Sequence, residues 1–177
     1  QKSVGITTIY VTHDQSEALT MSDRIAVMDQ GRVLQIGTPV EIYEQPASRF
    51  IAEFIGESNL LDGTALVVDG AVCSIDIDGT TVTGRLTQNN AAVQGQAVTL
   101  LVRPEMIRLH SLDASEKPKL NGTVREIIYQ GSVVRYRIQI GHQHMMVEVA
   151  NRPDLARLDL DDDVEVYWNA DSCVAMP

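Results

Sequence analysis

Cysteine is nearly absent from this chain of 177 residues: only Cys73 and Cys173 occur, far apart and without C-x-x-C spacing. That pattern favours two small buried thiols in a reducing compartment over a disulfide. Aromatic residues make up 5% of the chain, no run of lysine or arginine exists, and the net charge is −10. A nucleic-acid partner needs a basic face and stacking platforms, so that class is set aside. No apolar run approaches the ~20 residues that span a bilayer, and the amino terminus lacks a charged-then-apolar leader. The expectation is a cytoplasmic product whose contact with a membrane comes through a partner.

What is present is the composition of a globular protein, 44% hydrophobic and 21% charged. The length sits near the one-domain prior, and about two-thirds of the unfolded surface can be buried on folding.

The stretch from Ile6 to Ala18 organises the rest. A β-branched, apolar run, 6–11, reads as a buried strand that ends in Thr12-His13. Asp14, followed three residues later by Glu17, reads as the N-cap of a helix over about 14–21, with Glu17 reaching back. His13 is thereby placed at the carboxyl end of a strand, where open α/β sheets form their ligand crevice. An imidazole there can donate to an anion or move a proton near neutral pH. A plain turn histidine is the competing reading.

A strand at 24–29, a Gln30-Gly31 turn and a returning strand at 32–37 follow. Thr38-Pro39-x-Glu41 opens a second, brief helix, because Pro46 disfavours helical geometry at Gln45. A third helix carries Phe50, Ile51, Phe54 and Ile55 on one apolar face, the phenylalanine pair being read as core, and Gly56 closes it. From about Ser58 the helical period gives way to short alternating strands. Val98, Leu100 and Val102 face one way, with Thr99 and Arg103 opposite. Val134, Tyr136, Ile138 and Ile140 form one face against Arg135, Arg137 and Gln139, and Val164, Val166 and Trp168 close the series. Such strands predict a small antiparallel barrel or sandwich.

Thr12-His13-Asp14-Gln15-x-Glu17-Ala18, Ser22-Asp23-Arg24-Ile25-Ala26-Val27-Met28, Gly31-Arg32, Gln35-Ile36-Gly37-Thr38-Pro39 and Ile42-Tyr43-x-x-Pro46 together resemble ATP-binding-cassette importer ATPases. Arg103-Pro104-Glu105-x-Ile107-Arg108-Leu109, Asn121-Gly122-x-Val124 through Tyr129-x-Gly131, and Val164-x-Val166-x-Trp168 resemble the accessory barrel that follows many of those ATPases. The implied fold is an α/β remnant of a nucleotide-binding domain over 1–57, then an all-β, oligonucleotide-fold-like (TOBE-type) barrel over 58–177.

By this resemblance His13 is the switch histidine that contacts the γ-phosphate, and Asp14 opens the helix behind it. ATP and magnesium are the cofactors implied for the full-length parent. A second copy of the subunit and transmembrane permease subunits are the implied partners, with a periplasmic receptor engaged indirectly. The implied place is the cytoplasmic side of the inner membrane, peripheral through the permease. The pattern is most similar to polyamine (spermidine/putrescine) importer subunits, and ferric-iron and sugar importer subunits share much of it.

The G-x-x-x-x-G-K-[ST] phosphate loop, the Ser-Gly-Gly signature and an apolar strand ending in paired acids are missing. Without backbone amides and a lysine around the phosphates, nucleotide lacks an anchor. The expectation is a carboxyl-terminal fragment that neither binds nor hydrolyses ATP alone and that self-associates through a bared sheet edge. A module whose barrel senses a small molecule or a regulatory protein is the second hypothesis, with His13 structural.

Three further clusters are weighed against plainer roles. His142-x-His144 follows Gly141 and reads as a solvated hairpin tip, since a metal site needs more ligands. Asp159 to Asp163 lacks the glycine and distal glutamate of a calcium loop and reads as an acidic turn. Arg103-Pro104-Glu105 reads as a bend with its two charges paired across it.

Overall fold

The structure, a computed structural model, describes residues 5–86, 92–109, 119–155 and 157–177. Capping sets the helices. Asp14 accepts the Glu17 amide and starts α1 (Gln15–Met21). A hairpin follows, β1 (Ile25–Asp29) and β2 (Arg32–Gly37), turning through Gln30 and Gly31, both at positive φ. Positive φ at both turn residues matches the right-handed twist of the strands. Thr38 and Glu41 form a reciprocal capping box with Pro39 in the first turn of α2 (Pro39–Glu44). Ser48 caps α3 (Arg49–Ile55), and Gly56 ends it in an extended conformation. Ile25, Val27, Ile42, Ile51 and Ile55 make a small core between hairpin and helices.

Two expectations for this part are corrected. Residues 6–11 do not form a strand, and among the described residues they join no sheet; Ile9 and Val11 are 91% and 90% exposed. A strand exists only through its ladder, and here no neighbouring backbone accepts one, whatever the propensity. Phe50 and Phe54 do not enter the core either. They stack on each other at 5.9 Å, 44% and 39% exposed, while Ile51, Ala52 and Ile55 on the next face are buried. Of the elements expected before residue 58, the hairpin and the short helices are present and the 6–11 strand is not, so no clear nucleotide-binding-domain core is seen among the described residues.

The β-rich expectation holds. β3 (Asn59–Asp69), β4 (Val72–Ile77), β5 (Thr80–Leu86), β6 (Ala97–Val102) and β11 (Cys173–Met176) close into a barrel in the order β11-β5-β4-β3-β6. The last strand performs the closure, antiparallel to β6 and parallel to β5. Closure removes the free edges that an open sheet would expose. β7 (Lys119–Tyr129), β8 (Val133–Ile140), β9 (Gln143–Ala150) and β10 (Asp163–Tyr167) form a second antiparallel sheet, ordered β10-β7-β8-β9. Alternation along β8 buries Val134, Tyr136, Ile138 and Ile140 as the sequence predicts. Gly122 is required on β7: a Cβ there would lie 2.5 Å from Ile138 Cγ2 and 2.6 Å from the Gln139 carbonyl.

Barrel and sheet share one core that includes Leu61, Ile75, Leu100, Ile138, Val147 and Val166. Two side-chain amides replace a ladder where β3 passes β9. Asn59 donates to the Met146 carbonyl at 2.8 Å and accepts the Met146 amide. Gln143 donates to the Asp62 carbonyl at 2.8 Å and accepts the Asp62 amide. Each carboxamide thus imitates a peptide and satisfies backbone groups that no strand reaches.

Candidate functional site

The elbow around His13 is built by one carboxylate. Glu17 Oε2 accepts the Tyr10 hydroxyl at 2.9 Å and the Thr12 hydroxyl at 2.7 Å. Thr12 Oγ1 in turn accepts the Asp14 amide at 2.9 Å. Asp14 Oδ1 accepts the Glu17 amide at 3.1 Å, and the Asp14 carbonyl accepts the Ala18 amide. The reciprocal cap predicted between Asp14 and Glu17 is therefore relayed through Thr12. His13 sits exposed between the two fixed residues, outside both helix and strand. The hydrogen bond and negative charge of Glu17 push the Tyr10 hydroxyl above its ordinary pKa. Sequence spacing placed Asp14 correctly and missed Tyr10 and Thr12, because a hydroxyl's partner depends on where the chain bends.

A second cluster centres on Arg103, which the sequence placed on the outward face of its strand. It is instead 4% exposed. Nη1 donates to the carbonyls of Ala52 and Glu57 at 3.2 and 3.1 Å and to the Ser58 hydroxyl. Nη2 donates to the Tyr43 carbonyl at 2.9 Å, and the guanidinium lies 4.1 Å over the Tyr43 ring. Glu105 does not close onto Arg103 as predicted; it accepts the Tyr43 hydroxyl at 2.6 Å. Burial first, and Glu105 second, push the Tyr43 hydroxyl up to about 12, and burial draws Arg103 below its ordinary value. Glu57 forms an ion pair with Arg135 of β8, whose Nε lies 3.8 Å from Glu148. Both arginines thus pin the turn after α3 to the β-structure. A planar cation that donates in several directions and stacks on an aromatic face suits such a joint. These acceptors are main-chain atoms some fifty residues earlier, which sequence patterning does not reveal.

The remaining candidates are engaged locally. His142 and His144 are exposed, and the His142 amide donates to Asp78 Oδ2 at 3.0 Å, tying two hairpin turns together. Among the described residues no three His, Cys, Asp or Glu side chains converge to hold a metal. In the acidic turn Asp162 accepts the Asp159 amide, Asp163 accepts the Thr123 hydroxyl, and Asp161 pairs with Arg125. An open cleft of ≈ 600 Å³ lies beside Gly122, Arg125 and Gln139, with Arg125 already bonded to Gln139 and Asp161. Cys173 donates to the Thr83 and Ala170 carbonyls, and burial pushes its thiol up to about 12; burial also raises Cys73. Neither thiol is a nucleophile at neutral pH.

No helix among the described residues is long and apolar enough to cross a membrane. The TOBE domain family matches residues 100–176. Along its whole length the chain is 43% identical to a spermidine/putrescine import ATP-binding protein of Thermobifida fusca, covering 46% of that protein. It is 42% identical over 97% of its length to one of Pseudomonas aeruginosa strain PAO1, covering 48% of it. It is 40% identical over 99% of its length to one of Rubrobacter xylanophilus, covering 46% of it. The chain therefore spans about half the length of these curated relatives. Among solved structures, the cytoplasmic molybdate-binding protein ModG superposes with a TM-score of 0.57 over 67% of this chain and 96% of that one. At 16% identity this likeness establishes a shared barrel fold alone. Residues 100–176 match the TOBE domain family, and the chain from end to end is similar to a stretch about half as long as the ATP-binding proteins of spermidine/putrescine import.

Proposed function

We propose that the chain is the carboxyl-terminal part of the ATP-hydrolysing subunit of a polyamine importer. Residues 1–57 would end its ATPase domain and residues 58–177 form its accessory barrel. The observation that carries the proposal is the end-to-end similarity, at 40–43% identity, to spermidine/putrescine import ATP-binding proteins. Exposed Ile6, Ile9, Val11 and Ile36 add support: this apolar surface suits burial against the remainder of a larger ATPase domain.

The residues present do not by themselves fit a nucleoside triphosphate with magnesium. The exposed imidazole of His13 is one hydrogen-bond donor, and the amide cradle and lysine that hold phosphates are missing from the sequence. The isolated chain therefore neither binds nor hydrolyses ATP. In the full-length subunit, His13 would contact the terminal phosphate of an ATP held by the rest of the ATPase domain. Its contribution is positional and electrostatic, the kind of help phosphoryl transfer takes from protein groups. Two subunits would act together beneath the permease, at the cytoplasmic face of the membrane, with a receptor delivering cargo to the permease.

The test is His13→Ala in the full-length subunit, with Mg-ATP affinity and single-turnover hydrolysis measured on one preparation. ATP binding stays near wild type while the hydrolytic step falls ~10²–10³-fold, the usual loss for one preorganised donor. Hydrolysis within threefold of wild type refutes the assignment. Uptake of labelled spermidine, iron and maltose by cells carrying the subunit tests the cargo, and polyamine alone responds to its deletion.

A further inference from the structure

We infer that Glu17 is a positioning residue for His13, acting through Thr12; this rests on the switch role proposed above. The carboxylate accepts two hydroxyls, and both bonds fall on the same oxygen. One oxygen, Oε2, takes the hydroxyl hydrogens of both Tyr10 and Thr12, at 2.9 and 2.7 Å. A threonine hydroxyl has a single hydrogen, so Thr12, having given it to Glu17, can only accept from the backbone. It accepts the Asp14 amide at 2.9 Å, and Asp14 returns a bond to the Glu17 amide at 3.1 Å. The ring Glu17–Thr12–Asp14–Glu17 thus closes around His13, fixing the residue before it and the residue after it. His13 stands exposed, and neither a ladder nor a helical bond of its own defines its place.

The direction of every bond follows from the charge. An ionised carboxylate only accepts, and bonds to it are stronger than neutral ones. Replacing it by alanine frees the Thr12 hydroxyl to rotate and leaves Tyr10 without its partner. Replacing it by glutamine keeps an accepting oxygen but loses the charge. A side chain displaced by about 1 Å from a reacting group costs on the order of 10²-fold in rate. Glu17 therefore affects the hydrolytic step without touching nucleotide, whereas a mere helix cap would affect stability alone.

The experiment uses the full-length subunit with Glu17→Ala, Glu17→Gln, Thr12→Val, Thr12→Ser and His13→Ala. Mg-ATP affinity and single-turnover rate are read separately. Glu17→Ala and Thr12→Val lower the rate roughly ten- to a hundredfold with affinity within about threefold. Glu17→Gln loses less than Glu17→Ala, and Thr12→Ser, which restores the hydroxyl, returns to near wild type. The double variant Thr12→Val/Glu17→Ala is no slower than the worse single one, since both break the same ring. Should Glu17→Ala fail to bind ATP, Thr12→Val decides, because it removes one oxygen at constant shape. If both keep wild-type rates while His13→Ala abolishes hydrolysis, positioning by Glu17 is overturned and the switch role stands. If His13→Ala itself hydrolyses normally, both readings fall.

Discussion

The segment up to α3 and the β-structure after it obey different rules of stability. Among the described residues, the β-structure buries twenty-five apolar side chains in one cluster, and the hairpin and helices bury five in theirs. The first region also leaves Ile6, Ile9, Val11, Met28 and Ile36 largely exposed, whereas the strands turn their apolar alternation inward. Closure and face-to-face packing together explain the difference. Closure gives each barrel strand two neighbours, and the open β10-β7-β8-β9 sheet lays its apolar face on the same core, so each apolar face meets an opposing one. Local capping is enough to shape short helices, but it gives their other faces nothing to pack against. The lesson is that a motif can be fully legible in a region whose packing is not.

The largest effect expected from this contrast is in the barrel core. Leu100→Ala, at a fully buried site, lowers the unfolding free energy by about 4 kcal/mol, and Ile42→Ala in the smaller cluster by about 2. Urea titration of the two variants checks this, and equal losses would mean that the helical cluster is as tightly held as the barrel.

Next comes the joint between the regions. Arg103→Met deletes the bonds to Tyr43, Ala52, Glu57 and Ser58; the Ala52 carbonyl keeps the Ser58 hydroxyl, while the part-buried Tyr43 and Glu57 carbonyls lose the guanidinium, a cost of about 2–3 kcal/mol. Hydrogen exchange locates the effect: amides of α2 and α3 lose protection while those of β4 and β8 keep it. A uniform loss would show that Arg103 holds the barrel itself rather than its attachment.

The pH dependence separates the same two parts more gently. Tyr43, at the joint, and Cys173, in the barrel, each have a folded pKa raised to about 12, from 10.0 and 9.0. A raised pKa means the folded state holds its proton more tightly, so stability is present in full below the unfolded pKa and is lost as pH rises toward 12. Stability therefore starts to fall above pH 9 through Cys173 and falls further above pH 10 through Tyr43. Tyr43→Phe removes the later part and Cys173→Ala the earlier one in chemical denaturation at stepped pH. Glu41 and Glu165 have lowered values, so their contribution exists above about 4.5 and disappears on acidification.

The smallest effect is the most diagnostic. Ile9 is 91% exposed, so Ile9→Ser changes the stability of this chain by less than about 0.5 kcal/mol. Light scattering of the same variant tests whether this exposed apolar segment draws other copies, and less association than in the wild type is the expected outcome. A marked loss of stability would show that the segment packs within the chain after all.

Sequence alone determined whatever rests on neighbouring residues. Asp14 and Thr38 cap helices because an N-cap oxygen reaches amides two or three residues ahead. Strict alternation fixed the buried face of β8, and Gln30-Gly31 fixed the first hairpin. Motif order from Thr12 to Pro46 marked the family resemblance, and His13 was singled out on that evidence. Only tertiary structure decided where long-range partners lie. The run 6–11 had the propensity of a strand and found no ladder; Phe50 and Phe54 had a core-like spacing and found no opposing surface. Arg103 had the period of an outward side chain, yet β6 is covered on both faces, and the carbonyls around its guanidinium come from residues 43–58. Hydrophobic period and capping are written in the order of the residues, whereas pairing and burial depend on what the rest of the chain brings to the same place.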